Sequence, residues 1–482
     1  MTRTVGPARV AALVDGFDPH PAYSGLADAV QLAIGDGRIP PDTRLPSERD
    51  LAVVLGLSRT TVTRAYAELR ERGYAAAQRG SGTFTRIPGG RARTLDRALS
   101  PRDRGDGTTI DLSCAASSAV PGLTAAYAAA VADLPAYLSG PGYYPAGLPE
   151  LQRAVAATYE ERGLPTDPDQ VMITPGALAA ATVVARTLLR TGDRVLVEAP
   201  VYPNAPRSFA AAGGRLVTTP VDPDGWDVET LTRTTRRLRP AAAYLIPDYQ
   251  NPTGRLMGDR DRSVVARALA AAGTVTVVDE TLHLLGTGKA PAPRPLAAHL
   301  AEAGGTAICV GGVSKVVWGG LRIGWLRAPA SMITALTETR LAMDLGAPVL
   351  EQLATARLLA GIGPVLAWHR ERLARQRETL LGALARELPD WSFRPPDGGL
   401  AVWCRLPAPR ATALADEAER LGVVVTPGPV FAPEGGFGSW LRIPCTRPEA
   451  ELVEAVARLR EAWRAATAPR PERRRPRRTV VA

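Results

Sequence analysis

Of 58 basic residues only Lys289 and Lys315 are lysines, so chemistry that needs an ε-amine has two places to go. Lys289 sits among Gly and Pro and reads as a loop residue. Lys315 lies in Ser314-Lys315-Val316-Val317-Trp318-Gly319-Gly320-Leu321-Arg322, which carries an arginine seven positions after the amine. Thirty-six residues before the lysine, Val277-Val278-Asp279-Glu280 ends an apolar run in an acid. Asn251-Pro252-Thr253-Gly254 turns sharply after another apolar run, and Thr174-Pro175-Gly176-Ala177 precedes a helical pattern. Tyr202 stands in Ala199-Pro200-Val201-Tyr202-Pro203.

Each group matches one need of a phosphorylated pyridine aldehyde. Lys315 supplies the amine for a Schiff base, and Asp279 a carboxylate to keep the pyridine nitrogen protonated. Arg322 offers a fork that fits two phosphate oxygens. Backbone N–H groups at a helix start, here Gly176 and Ala177, bind anions well, and Ser314 beside the lysine joins them. Asn251 is free to hydrogen-bond the ring oxygen, and Tyr202 to lie on the ring face. The set predicts pyridoxal 5'-phosphate as cofactor. Asn-Pro-Thr-Gly alone is weak and Ser-Lys alone weaker; the ordered set carries the reading. His283 and His299 have no ligand-like companions, and no metal site is expected.

A second constellation lies near the N-terminus. Ser58-Arg59-Thr60-Thr61 opens a helical pattern, where Arg59 can reach guanine and Thr60 and Thr61 a phosphate or thymine methyl. Arg49 and Arg64 are placed for the DNA backbone, and Gly80 and Gly82 let a turn approach it closely.

Those residues need particular elements to hold them. Leu26, Val30, Ala33 and Ile34 repeat at helical spacing and Gly35/Gly37 end that helix. Ser47 is an apt N-cap with Asp50 as its capping-box-like partner, Gly56 closes the short helix, and Ser58 caps the next. Two helices about a Gly-containing turn predict a helix-turn-helix. Ala75–Arg79 and Thr83–Arg86 about Gly80-Ser81-Gly82 predict a hairpin wing. Beyond Ile110 a helix over Ala177–Leu189 and strands over Arg194–Glu198, Ala242–Ile246, Thr274–Val278 and Ala307–Val310 predict an α/β domain with a mainly parallel sheet.

The expected organisation is multidomain: an N-terminal extension at 1–22, a winged helix at 23–86, a linker at 87–109, the large domain at 110–468 and a basic disordered tail at 469–482. Length agrees, since 482 residues exceed one ordinary core. The net charge of +10 is localised: residues 58–93 carry a net +6 and 470–478 a net +5. That suits polyanion binding. No apolar run approaches the roughly 18 residues that span a bilayer, and no signal-peptide pattern opens the chain. Four scattered cysteines without CxxC fit a reducing cytoplasm.

Leu45-Pro46-Ser47-Glu48-Arg49, Leu57-Ser58-Arg59-Thr60-Thr61-Val62 and Arg79-Gly80-Ser81-Gly82-Thr83-Phe84 resemble the GntR-family winged helix. The lysine set resembles the fold-type I aminotransferases across 110–468. Together the chain resembles the MocR (GabR-like) subfamily of GntR regulators, whose large domain ends in a smaller α+β subdomain. That resemblance implies Arg442, in Trp440-Leu441-Arg442-Ile443-Pro444, as the clamp on an effector's carboxylate. It implies a head-to-tail homodimer, with Tyr143 or Tyr144 reaching the neighbouring subunit's phosphate, and a double-stranded operator with paired half-sites. Thr63 stands where many members have Arg. The family's Tyr two or three residues after the acid is Thr281 or Leu282 here, its phosphate-binding Ser is Gly312, and Gly319 replaces a frequent Pro. Two functions follow from the resemblance: a regulator that senses pyridoxal phosphate or its adduct with an amino compound, or a working aminotransferase carrying a DNA-binding domain. A cofactor-free architectural repressor is a third.

Overall fold

The computed structural model describes residues 3–468 apart from 36–37, 40–41, 79, 87, 89–108 and 289–291. Arg79, Lys289, the body of the expected linker and the Arg-rich tail lie outside the described residues.

At the N-terminus, helices Ala22–Gly35, Glu48–Leu55 and Arg59–Glu71 bury Leu26, Val30, Ile34, Leu51, Val62, Tyr66 and Leu69 in one core. The caps form as the residue types require. The Ser47 Oγ accepts from Asp50 N at 3.1 Å, and Ser58 Oγ from Thr61 N at 3.0 Å. Gly56 ends its helix at φ 66°, a left-handed conformation that glycine adopts without strain. Strands Ala75–Gln78 and Gly82–Thr85 pair antiparallel as the wing. Residues 3–21 share this unit rather than merely preceding it. Strand Arg3–Thr4 pairs parallel with Thr43–Arg44, and Val10 and Val14, at helix Pro7–Leu13 and its cap, enter the same core.

The large domain is built on an eight-stranded sheet. Its order is Val171–Thr174, Gly324–Arg327, Ala307–Gly312, Val275–Asp279, Ala242–Leu245, Arg194–Ala199, Arg215–Asp222, Gly225–Trp226. The strands from Ala307–Gly312 to Arg215–Asp222 run parallel, whereas Gly324–Arg327 is antiparallel to both neighbours. The middle strands read as near-continuous apolar runs because both faces are covered, and Val197, Leu245 and Val278 are fully buried. In such sheets ligands bind beyond the carboxyl ends of the strands. Asp279 and Gly312 end two of them, and Ile246 follows a third.

The C-terminal subdomain holds a five-stranded sheet on which helices Ala411–Arg420 and Glu449–Thr467 pack, with helix Ile362–Glu387 against Glu449–Thr467. Its edge strand is Ile110–Leu112, paired parallel with Val423–Pro427. The large domain therefore begins in the sheet that its last residues complete. Among the described residues no single helix is long and apolar enough to cross a membrane.

Candidate functional site

A cavity of about 170 Å³ opens at the carboxyl ends of the parallel strands. Ala177, Tyr202, Asn251, Asp279, Ser314, Lys315 and Arg322 line it, and Gly176 caps the helix that begins at Ala177. The structure thus gathers the expected cofactor residues from positions up to 146 apart in sequence.

Lys315 follows the strand Ala307–Gly312 by three residues, and its Nζ donates to Ala115 O at 2.9 Å. Burial holds the amine below its ordinary lysine range, and the Arg442 and Arg322 guanidiniums act in the same direction. A lysine so placed more readily presents the neutral, nucleophilic amine.

At the cavity's far side, Asp279 is almost fully buried at the end of its strand. Its Oδ1 accepts from Thr281 N at 2.9 Å and Thr281 Oγ1 at 2.6 Å, and its Oδ2 accepts from Tyr244 Oη. Burial raises the carboxyl above its usual range while these donors pull it back. The Tyr244 phenol is pushed well above its ordinary value by burial and by Asp279, so it remains protonated and a donor.

Asn251 is fixed by the residue before it. Gln250 Nε2 donates to Glu198 Oε2 at 3.1 Å and to Pro200 O at 2.6 Å. Its Oε1 accepts from Thr253 N and Thr253 Oγ1, which locks the turn around Asn251-Pro252. Glu198, fully buried, also accepts from Ile246 N at 3.1 Å and Trp226 Nε1 at 2.7 Å. Burial pushes its carboxyl up to about 7 against those three donors.

The anion end is narrow. Gly176 has φ 102°, and a Cβ there would lie 2.8 Å from Arg322 Nη2, so side chain and backbone conformation both require glycine. Arg322 Nη2 donates to Pro175 O at 2.9 Å, across the start of the helix Ala177–Leu188. A Cβ on Gly312 would lie 3.1 Å from Ile323 O and 3.7 Å from Ala177 N, so the strand end packs against that same helix start.

Arg442 comes from the other subdomain, on strand Trp440–Pro444. It donates to Asn251 Oδ1 at 3.4 Å and to Ser113 O, and its guanidinium lies 4.8 Å from the Phe431 ring centre. Burial pushes it down to about 10, its Nε has no hydrogen-bond partner, and among the described residues it makes no ion pair. A buried cation without a counter-ion is what a carboxylate ligand would complete. Tyr202 lines the cavity and its Oη accepts from Asn204 Nδ2 at 2.9 Å.

On the winged helix, Arg49, Ser58, Arg59, Thr60, Arg64 and Gly80 are exposed and Thr61 is half-buried. Ser58 and Thr61 hold one another at the helix start, their hydroxyls 2.8 Å apart, so Arg59 and Thr60 are the freer members of the set. Arg64 stacks on Tyr23, its guanidinium 3.7 Å from the ring centre, while remaining exposed. Gly80 has φ 77° at the wing's turn.

Sequence reasoning missed Tyr244, Glu198, Gln250 and the carbonyls of Ser113 and Ala115. Tyr244 alone left a signal: it shares with Ile246 the period-2 face of a strand that was expected, and both line the cavity. Tyr143 is exposed and Tyr144 half-buried, ahead of Gly147. His283 is held by Glu280 O at 2.6 Å and His299 lies beside Asp259, and no metal-binding cluster occurs among the described residues.

Residues 141–459 match the family of class I and II aminotransferases, and residues 22–85 match the gntR family of bacterial regulatory proteins. A 2-aminoadipate transaminase of Thermus thermophilus is 33% identical over 301 residues, covering 61% of this chain and 75% of that one. The probable rhizopine catabolism regulatory protein MocR of Rhizobium meliloti is 29% identical over 432 residues, covering 82% and 83%. Among solved structures, LysN, the α-aminoadipate aminotransferase of Thermus thermophilus complexed with N-(5'-phosphopyridoxyl)-L-leucine, superposes with a TM-score of 0.68 at 30% identity. It covers 75% of this chain and 93% of that one.

Proposed function

The chain belongs to the MocR-type regulators, a GntR-family helix-turn-helix domain fused to a class I and II aminotransferase domain, and on that premise we propose that it is a DNA-binding regulator whose aminotransferase-like domain senses pyridoxal phosphate or its adduct with an amino compound. The observation that carries this reading is the pairing, in one cavity, of a half-buried lysine with a buried, triply hydrogen-bonded aspartate.

The residues fit the cofactor. Asp279 accepts three donors and keeps lone-pair capacity for a pyridinium. Gly176 leaves room for the Arg322 fork at a helix start, where phosphate is favoured. Asn251 is held on a rigid turn facing Lys315, and Tyr202 offers a ring face. When bound, the cofactor would supply an aldehyde to capture amines and an electron sink for charge that develops next to nitrogen. Lys315 would hold it covalently, Asp279 would hold a proton on the ring nitrogen, and Arg442 would orient an incoming carboxylate.

The alternative, a working aminotransferase, draws on the transaminase likeness. Leu282 favours the sensor. It is buried and lines the cavity where the resemblance expects a phenol that helps set the proton affinity of the lysine–cofactor link. With the cofactor bound, Lys315 would have two discrete states, tethered to it and free, as switching needs. A head-to-tail homodimer belongs to the proposal, with exposed Tyr143 available to the neighbouring copy.

The test is the visible absorption spectrum of the full chain mixed with pyridoxal phosphate, beside that of Lys315→Ala, before and after a panel of amino acids and amines. A yellow band present only with Lys315 supports the cofactor assignment. A spectral change with one amine and no keto-acid product supports the sensor; repeated turnover would replace it with the aminotransferase. A colourless wild type would remove the cofactor from the proposal.

A further inference from the structure

The geometry points to Tyr244 as the cofactor-positioning phenol of this site, one that acts through Asp279 from a neighbouring strand instead of following it in sequence. This inference rests on the cofactor reading above and deepens it.

Asp279 has three protein donors, and two come from one residue. Thr281 N and Oγ1 both reach Oδ1, two positions along the same chain segment. They hold one oxygen and give the other no donor. Tyr244 supplies the second anchor. Strands Ala242–Leu245 and Val275–Asp279 pair in parallel with Tyr244 opposite Val277, which places the longer phenol level with the strand end where Asp279 sits. Its Oη donates to Oδ2, so the carboxylate plane is pinned from both sides.

The phenol is built into place rather than resting there. Tyr244 is 1% exposed, lines the cavity, and packs its ring 5.7 Å from that of Phe209 at 51°. A buried carboxylate without such donors takes up a proton instead of holding its charge. Hydrogen bonds to the charged form favour that form, and an anionic Asp279 is what keeps a proton on a facing pyridine nitrogen. Leu282 removes a phenol from one side of the pocket; Tyr244 provides one behind the acid. Tyr244 touches Asp279 and is a positioning residue. The other titratable groups that face Asp279 are Glu280, Glu198, Tyr202 and Lys315, and Arg322 and Arg442 face Lys315.

Tyr244→Phe keeps the ring and its packing and deletes only the donor. The full chain, wild type and variant, is loaded with pyridoxal phosphate and its visible band is titrated with pH. Losing the donor destabilises the anionic acid, the ring nitrogen is less firmly protonated, and the lysine-linked nitrogen becomes more basic. The midpoint of the band should rise by about half a pH unit or more. Thr281→Val, which removes the Oγ1 donor from the opposite oxygen, should move it the same way and serves if Tyr244→Phe folds poorly. A purely structural Tyr244 would lower the melting temperature and leave the midpoint where it was. An unmoved midpoint in both variants, with a normal band in the wild type, overturns this inference and leaves the cofactor reading standing. A wild type without any band overturns both.

Discussion

Arg59 and Arg442 carry the same charge in opposite surroundings. Arg59 opens a helix on the winged unit, exposed, with its charge offered to solvent. Arg442 is 6% exposed behind a cavity, over an aromatic ring, with a nitrogen left unpaired. The first is cheap to keep and easily screened, which suits a surface that must slide along a polyanion before it settles. The second costs desolvation to keep, and a ligand carboxylate would offset that cost. The same contrast runs through the whole molecule. Recognition at the N-terminal unit rests on local caps and a short hairpin. Recognition in the large domain rests on groups brought together from many strand ends.

The contrast can be broken most sharply at Arg59. Arg59→Ala should weaken operator DNA binding by about a hundredfold across two half-sites, with the visible spectrum of the loaded protein unaltered. Titration of labelled DNA at several salt concentrations measures it, and the wild type should lose affinity steeply as salt rises. Unchanged affinity would remove the recognition helix from the reading. A smaller effect is expected at the anion end. Gly312→Ser restores a hydroxyl beside the helix start and should tighten cofactor binding about tenfold, the low end for one hydrogen bond to a charged group. The gain is held low because a Cβ there lies 3.1 Å from Ile323 O; a loss of affinity would mean that this strand end cannot yield.

The remaining expected effect is on stability, not on binding. Burial raises Glu198 from its ordinary value to about 7, so the folded state binds its proton more tightly than the unfolded chain does. Its contribution is present below the unfolded carboxylate range and is lost as pH climbs through neutrality, by at most about 3 kcal/mol. Urea unfolding at pH 5 and pH 8 should show that loss in the wild type and a smaller one in Glu198→Gln. Because the group is fully buried, salt should barely alter the difference, unlike the DNA titration.

Much of this was legible in the sequence because it is local. Ser47, Ser58 and Gly56 mark helix ends through bonds that span three or four residues, and the apolar runs of the central strands announce a sheet covered on both faces. Lys315, Asp279 and Asn251 could be read because strands that alternate with helices run parallel and present their ends on one side. What escaped is non-local. Tyr244 looks like any buried strand aromatic until its register against Val277 is known. Gln250 and Glu198 are 52 positions apart and meet only through the turn. Ile110–Leu112 has too few residues to declare a partner some three hundred positions onward. The stacking of Arg64 on Tyr23 was hidden for the same reason, since Tyr23 belongs to another helix.

The residues that follow Ile110–Leu112 lead the chain from the DNA-reading side into the large domain, and two ligand-binding candidates grip them. Lys315 donates to the Ala115 carbonyl and Arg442 to that of Ser113. A lysine engaged in a covalent bond, or an arginine turned to a carboxylate, has fewer donors left for those carbonyls. Whatever occupancy does to this entering segment is also done in reverse, since coupling free energies are reciprocal. If a small molecule changes the operator affinity by some factor through this segment, the operator must change the affinity for that molecule by the same factor. Promoter-bound and free protein would then hold different amounts of effector at one cellular concentration, and the DNA itself would act as an allosteric ligand of the site.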